Sequence, residues 1–223
     1  MQSFPIETLS CIEIEPNQPA KKTIIVLHGL GADGSDFVPV VSELHLPTSA
    51  AVRFVFPHAP VMPITINSGF EMRAWYDILS LEIDRRVDTE GIHKSIQLVE
   101  SLIQNEEKRG ITRDNIVLAG FSQGAVIALA KELTASKPVA GVIALSGYLA
   151  FSSNDLQHVN RQLPIFLGHG TEDPIVPYAL GKAAYVTLQQ LGCHVNWHSY
   201  RMAHSVCAEE INDIRDWLLD LWK

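Results

Sequence analysis

The feature that most limits how this chain can fold is a five-residue run, Gly120-Phe121-Ser122-Gln123-Gly124, set between two segments of opposite character. Before it, Ile116-Val117-Leu118 is short, apolar and β-branched, the pattern of a strand buried on both faces. After it, Ala125 to Ala130 reads as an apolar helix. G-x-S-x-G between a strand and a helix calls for a sharp turn that exposes the serine hydroxyl at the sheet edge. Crowding explains the glycines, because side chains two positions either side of the serine would collide with the neighbouring strand and helix. The turn also puts the serine oxygen at a helix N-terminus, where the dipole favours negative charge.

The remaining chain supplies the sheet that such a turn needs. Thr23 to Leu27, Val52 to Phe56, Ala140 to Leu145 and Pro164 to Leu167 repeat the buried-strand pattern. Residues 6–14 alternate apolar and polar, as an outer antiparallel strand would, and His194 to Tyr200 reads as a last strand. Helical stripes fall between them. Ile92, Ile96, Val99 and Ile103 share one face, with Gly110 where a C-terminal cap belongs. Ser122 to Leu133 and Tyr178 to Leu191 are further helices, the second ended by Gly192. Ile211, Ile214, Trp217, Leu218 and Leu221 give a closing helix its apolar face. This alternation predicts an α/β fold with a mostly parallel sheet and helices on both faces. With 223 residues and no repeats, linkers or low-complexity tracts, a single domain over 1–223 is expected. The stretch from Pro57 to about Arg86 breaks the rhythm with Pro57, Pro60, Pro63 and a Trp75-Tyr76-Asp77 cluster, and it reads as a lid or binding loop.

Composition excludes several function classes. The formal net charge is −8, and the longest basic cluster is a pair, such as Lys21-Lys22 or Arg85-Arg86. Neither nucleic acid nor an anionic membrane is therefore an expected partner. No apolar run is long enough to span a bilayer, and Met1 to Pro16 lacks the basic start of a signal peptide. Cys11, Cys193 and Cys207 form no C-x-x-C pair, so a disulfide framework is not expected. A cytoplasmic protein with reduced thiols fits. A metal centre is poorly supported, since H-E-x-x-H is absent. His194 and His198 would lie roughly 13 Å apart along a strand at about 3.3 Å per residue. No metal or other cofactor is expected.

A serine hydroxyl is a weak nucleophile and needs a base to take its proton. In G-x-S-x-G hydrolases the order along the chain is Ser, then Asp or Glu, then His. Downstream of Ser122 stand His158, His169, His194, His198 and His204. His204, in Met202-Ala-His-Ser205, breaks the chain between the last strand and the last helix, on the side of the sheet where Ser122 lies. His194 and His198 fall within strand pattern, and His169 precedes every candidate acid. The acid should follow the penultimate strand, where Glu172 and Asp173 compete in a Gly- and Pro-rich turn. Asp173 is preferred because Asp-Pro fixes the turn just before a helix, although a capping aspartate would look the same. The acid's task is to hold the imidazole tautomer and stabilise its charged form. For the oxyanion, His28-Gly29-Leu30-Gly31 follows an early strand and offers the Leu30 N–H, while the second donor is the N–H after the nucleophile, Gln123. A phosphate loop is the alternative, but the rest of G-x-G-x-x-G and a Walker lysine are missing.

Taken together, the chain resembles the phospholipase/carboxylesterase family of the α/β-hydrolase fold, which includes bacterial carboxylesterases and acyl-protein thioesterases. The resemblance rests on His28-Gly-Leu-Gly-Ala-Asp-Gly34, Pro57-His-Ala-Pro60, Thr65-Ile-Asn67, Met72-Arg-Ala-Trp-Tyr-Asp77, Gly120-Phe-Ser-Gln-Gly124, Leu167-Gly-His-Gly170, Asp173-Pro-Ile-Val-Pro177 and the His204 loop. It implies a triad of Ser122, Asp173 and His204, with oxyanion donors at Leu30 and Gln123. It further implies a shallow acyl groove near Trp75 and Ile175, with no separate cap domain. The implied substrates are short- to medium-chain carboxylic esters, lysophospholipids or S-acylated proteins. Ser68 departs from the family, which more often has glycine there. A little-covered apolar groove would also allow a weak homodimer. Dienelactone-hydrolase-like chemistry is disfavoured because it uses cysteine as nucleophile, whereas a peptidase or lipase remains a change of substrate only. A non-catalytic scaffold would be expected to lack a triad member.

Overall fold

The structure, a computed structural model, describes residues 9–79, 87–151, 156 and 159–223. In chain order its elements are β1 (Cys11–Ile14), β2 (Lys22–Leu27), α1 (Val40–Glu43), β3 (Val52–Pro57), β4 (Val61–Ile64), β5 (Phe70–Arg73), α2 (Thr89–Lys108), β6 (Ile116–Phe121), α3 (Gln123–Leu133), β7 (Gly141–Leu145), β8 (Ile165–Gly170), α4 (Tyr178–Gln190), β9 (Val195–Tyr200) and α5 (Ala208–Leu221). A seven-stranded sheet among the described residues has the order β1-β3-β2-β6-β7-β8-β9. Only β1, paired with β3, runs antiparallel. The expected outer strand is therefore present over Cys11–Ile14, while residues 6–8 lie outside the described residues.

Period-two alternation sends neighbouring side chains to opposite layers. Ile25, Val55 and Leu118 join one apolar cluster with Ile92, Val99 and Ile103 of α2, Ile127 and Leu129 of α3 and Leu188 of α4. Ile24, Phe54 and Val117 join the other, with Ile214 and Leu218 of α5. Both faces of the sheet are covered, which is why its strands read as continuous apolar runs. α3 is buried along its whole length, Lys131 and Glu132 included. Lys131 Nζ pairs with Glu132 and Glu100 at 3.1 and 3.0 Å, and Val139 N donates to Glu132 at 2.8 Å, so these buried charges are satisfied.

The topology also selects where chemistry belongs. From β2 the chain moves outward to β3, then crosses back to β6 on β2's other side and continues through β7, β8 and β9. The direction of winding reverses between β2 and β6, and ligands of open α/β sheets bind outside the C-terminal strand ends at such a point. One expectation needs correction. The stretch after Pro57 is not irregular throughout: β4 and β5 pair as an antiparallel hairpin, from Val61 opposite Arg73 to Ile64 opposite Phe70. Pro63 and the four-residue strands hide it from periodicity. Ser68, at φ +57°, adopts the left-handed conformation that glycine visits freely, and Gly69 follows it at φ +78°. Residues 80–86 of that stretch lie outside the described residues. Among the described residues, no helix is long and apolar enough to cross a membrane.

Candidate active site

β6 ends at the Ser122 turn. Ser122 has φ +55° and ψ −116°, a conformation that costs a non-glycine residue on the order of 1–3 kcal/mol. The turn is held by Ser122 N donating to Leu145 O at 2.8 Å and by Ala125 N and Val126 N donating to Ser122 O at 3.1 and 3.2 Å. A Cβ on Gly120 would lie 2.3 Å from Gly124 C, and one on Gly124 would lie 2.2 Å from Leu27 O. The crowding inferred from the sequence is thus real, against α3's first turn on one side and the end of β2 on the other. Ser122 caps α3, an eleven-residue helix, from its N-terminal side.

The candidate base and acid meet. His204 Nδ1 lies 2.7 Å from Asp173 Oδ2, and since a carboxylate only accepts, the Nδ1–H donates and leaves Nε2 as the free lone pair. Asp173 is buried, and its other oxygen accepts from Ile175 N and Val176 N, both at 2.9 Å. Glu172, the rival acid, instead pairs with Arg201 on the surface. The His204 ring centroid stands 4.7 Å from that of Phe121, the neighbour of Ser122. Among the described residues Ser122 Oγ forms no hydrogen bond. His169 also approaches Asp173 Oδ2, at 3.6 Å, but its Nε2–H donates to Val176 O at 2.9 Å and burial pushes its pKa down. His158 lies outside the described residues. Cys11, Cys193 and Cys207 are free thiols. Burial pushes the thiol of Cys11 up to about 11 and raises that of Cys193, so neither competes as a nucleophile.

The loop after β2 comes close to the nucleophile: a Cβ on Gly29 would touch Ser122 Cβ at 3.4 Å. The backbone N–H groups of Leu30 and Gln123 make no hydrogen bond among the described residues, whereas their neighbours Gly31 N and Ser122 N are engaged. Two uncommitted donors flanking a strained serine are the raw material of an oxyanion hole.

A family profile described as Phospholipase/Carboxylesterase matches residues 10–221. The chain belongs to the phospholipase/carboxylesterase family. It is a serine hydrolase of the esterase and thioesterase kind. Acyl-protein thioesterase 1 of Kluyveromyces lactis is 41% identical over 211 residues, which cover 90% of this chain and 92% of that protein. Acyl-protein thioesterase 1 of Saccharomyces cerevisiae is 37% identical over 212 residues, covering 90% and 93%. Among solved structures, Zea mays acyl-protein thioesterase 2 superposes with a TM-score of 0.84 at 27% identity, over 96% of this chain and 99% of that one. Arabidopsis thaliana SOBER1 gives 0.85 at 28%, over 92% and 100%.

Within this family framework the two groove residues expected from the resemblance separate. Ile175 is 64% exposed, directly after the Asp173 turn. Trp75 is 2% exposed, with its indole N–H donated to His28 O at 2.9 Å, so in this conformation it offers an acyl chain no open surface. Its place is structural. Trp75 N donates to the Gln123 side chain at 2.8 Å, and Gln123 Nε2 donates to Tyr76 O at 2.7 Å. The hydroxyl of Ser95 donates to Trp75 O. His28 completes the brace: Nδ1–H donates to Gly29 O at 2.7 Å and Nε2 accepts from Ala59 N at 3.1 Å, which requires a neutral ring. Burial, the largest influence on it, lowers its pKa accordingly. Sequence reasoning assigns Gln123 a role through its backbone alone; the side chain's role as a strut has no motif to reveal it. Arg73 O accepts from Gly31 N at 2.9 Å, tying the hairpin to the same loop.

Proposed function

We propose that the chain hydrolyses short- to medium-chain acyl esters and thioesters through Ser122, His204 and Asp173 by way of an acyl-enzyme. The observation that carries this is the His204 Nδ1 to Asp173 Oδ2 bond of 2.7 Å, presented beside a strained serine at the winding switch of the sheet. Nε2 of His204 takes the Ser122 proton as Oγ attacks the acyl carbonyl. Asp173 keeps the ring in the tautomer that permits this and stabilises the imidazolium that results. The N–H groups of Leu30 and Gln123 receive the oxyanion. Collapse of the tetrahedral species breaks the bond to the leaving oxygen or sulfur, which departs with the imidazolium proton. Water then repeats the sequence on the acyl-serine and frees the carboxylic acid.

The thioesterase relatives favour an S-acylated protein as the physiological substrate, and Ile175 is the exposed apolar surface assigned to the acyl chain. The test compares hydrolysis of p-nitrophenyl butyrate and of acyl thioesters of graded length by the wild type and Ser122→Ala. Loss of kcat by roughly 10⁴–10⁶ is expected on both leaving groups. A fluorophosphonate probe should label Ser122, located by peptide mass spectrometry. Equal rates for the two proteins, or labelling elsewhere, would overturn the assignment.

A further inference from the structure

One buried carboxylate plays no part in this chemistry. Glu210 is fully buried, and neither of its carboxyl oxygens has a hydrogen-bond partner among the described residues. It stands third in α5, counted from Ala208, with Cys207 as the N-cap. A glutamate at that position ordinarily reaches back to the N-cap N–H. Glu210 turns inward instead. Its Oε1 would lie 2.0 Å from a Cβ on Gly168 of β8, so the carboxyl fills the space that a side chain at 168 would need. Ser146 N donates to Gly168 O at 2.8 Å, and the Ser146 hydroxyl is likewise buried without a partner. Glu210 therefore joins the start of α5 to the strand whose end leads to Asp173, and the segment between β9 and α5 carries His204.

We propose that Glu210, kept as the neutral acid, is a positioning residue for hydrolysis: it seats the first turn of α5 on β8 and so holds the loop that presents His204. The groups facing it explain the neutrality. Asp213 of the same helix lies near, itself held by Tyr200 Oη at 2.8 Å and by His198 Nδ1 at 3.2 Å, both from β9. Cys207 at the helix start is a further titratable neighbour of this group of residues, while β8 meets the carboxyl with Gly168, which carries no charge. Burial first and Asp213 second push Glu210 up to about 8. Above that pH the charged form is buried without a counter-ion, and relief requires the α5 turn to lift from β8, carrying the His204 loop out of register.

The inference rests on His204 acting as the base. It is tested by kcat/KM against pH from 6 to 10 for the wild type, Glu210→Gln and His204→Ala on an acyl thioester. The wild type should lose activity on an alkaline limb centred near pH 8, and Glu210→Gln should retain neutral-pH activity without that limb. At pH 9 the variant's advantage should reach about tenfold, the ratio of ionised to neutral acid one unit above the midpoint. Parallel wild-type and Glu210→Gln profiles, with His204→Ala inactive, overturn this inference alone. Wild-type rates in His204→Ala overturn the base assignment itself. A purely structural role for Glu210 would lower the melting temperature and scale activity equally at every pH. Carbon-13 NMR of glutamate-labelled wild type keeps the test independent of the variant's folding: one carboxyl resonance should titrate near pH 8, and its absence refutes the neutral acid.

Discussion

Replacing Gly124 with alanine probes the joint between fold and chemistry. The new methyl would lie 2.2 Å from Leu27 O, 2.6 Å from Leu27 C and 2.7 Å from His28 O. All three are backbone atoms, so no rotamer change relieves the clash. Ordinary contact begins at 3.4 Å, so the start of α3 and the end of β2 must part by about 1.2 Å. Those two segments carry the Gln123 and Leu30 N–H groups. A displacement of about 1 Å is enough to cost on the order of 10² in rate, and losing one oxyanion donor costs about 10²–10³. Gly124→Ala should therefore lower kcat/KM for p-nitrophenyl butyrate at least about 100-fold. Overpacking should also cost roughly 1–3 kcal/mol, or about 2–4 °C of melting temperature per kcal/mol in a chain this size. Gly110→Ala is the control: its φ of +93° brings strain, but nothing lies within 4 Å of the added carbon. It should lose stability and keep kcat. A Gly124→Ala protein with wild-type kcat/KM and melting temperature would refute the crowding argument outright.

Other perturbations separate the parts of the site. In Asp173→Asn the amide oxygen should stay on Ile175 N and Val176 N, turning its NH₂ toward His204 Nδ1 and enforcing the tautomer that cannot accept the serine proton. A fall in kcat of about 10⁴ with unchanged melting temperature is expected, and a tenfold effect or less would count against Asp173 as the orienting acid. Glu106 accepts from Thr23 Oγ1 at 2.6 Å and pairs with Arg53 at 2.7 Å, far from the chemistry, so Glu106→Ala should cost roughly 3–5 kcal/mol by urea unfolding yet leave kcat/KM intact. His28 and His169 are both held below the ordinary value of 6.5, so the unfolded chain binds more protons than the folded one below that pH. Their stability contribution should be lost on acidification below about pH 6.5. Glu210 has the opposite sign: its pKa rises from 4.5 to about 8, so stability drains as pH climbs between those values, by at most about 1.4 kcal/mol per unit. Urea unfolding from pH 5 to 8 should show the two opposed slopes in the wild type and only the histidine slope in Glu210→Gln.

What the sequence discloses follows from which forces are local. Strands such as Thr23 to Leu27 are readable because burial on both faces leaves a run of β-branched residues, and α2 because one face alone is buried. The elbow is readable because a sterically crowded turn admits glycine at 120 and 124 and little else. His204 and Asp173 emerge from order along the chain, with each placed after its own strand. The β4–β5 hairpin escapes because four-residue strands containing Pro63 carry no usable period. The place of Trp75 is not legible because an aromatic beside a loop looks the same in sequence whether it faces solvent or supports the loop from below. Only tertiary hydrogen bonds tell these apart, and Trp75 spends its indole on His28 O.

The polar interior of the site divides along functional lines. Under the proposed mechanism the Leu30 loop must hold its donors still, and the side chains bracing it are satisfied: Gln123 by Trp75 and Tyr76, Trp75 by His28, His28 by Gly29 and Ala59. Such a closed network is worth more than its separate bonds, and it can carry the strain stored at Ser122. Behind the His204 loop the arrangement is the reverse, with Glu210 and Ser146 buried and unpaired around Gly168. An unpaired buried acid is a cost that apolar residues of the same size would avoid, so its presence there is difficult to explain as stabilisation. It is intelligible if the loop carrying His204, unlike the Leu30 loop, is seated on the sheet through a buried contact that persists only while the acid keeps its proton. A wild-type enzyme whose activity stayed level from pH 7 to 10 would remove that reason and leave the unpaired acid without a role.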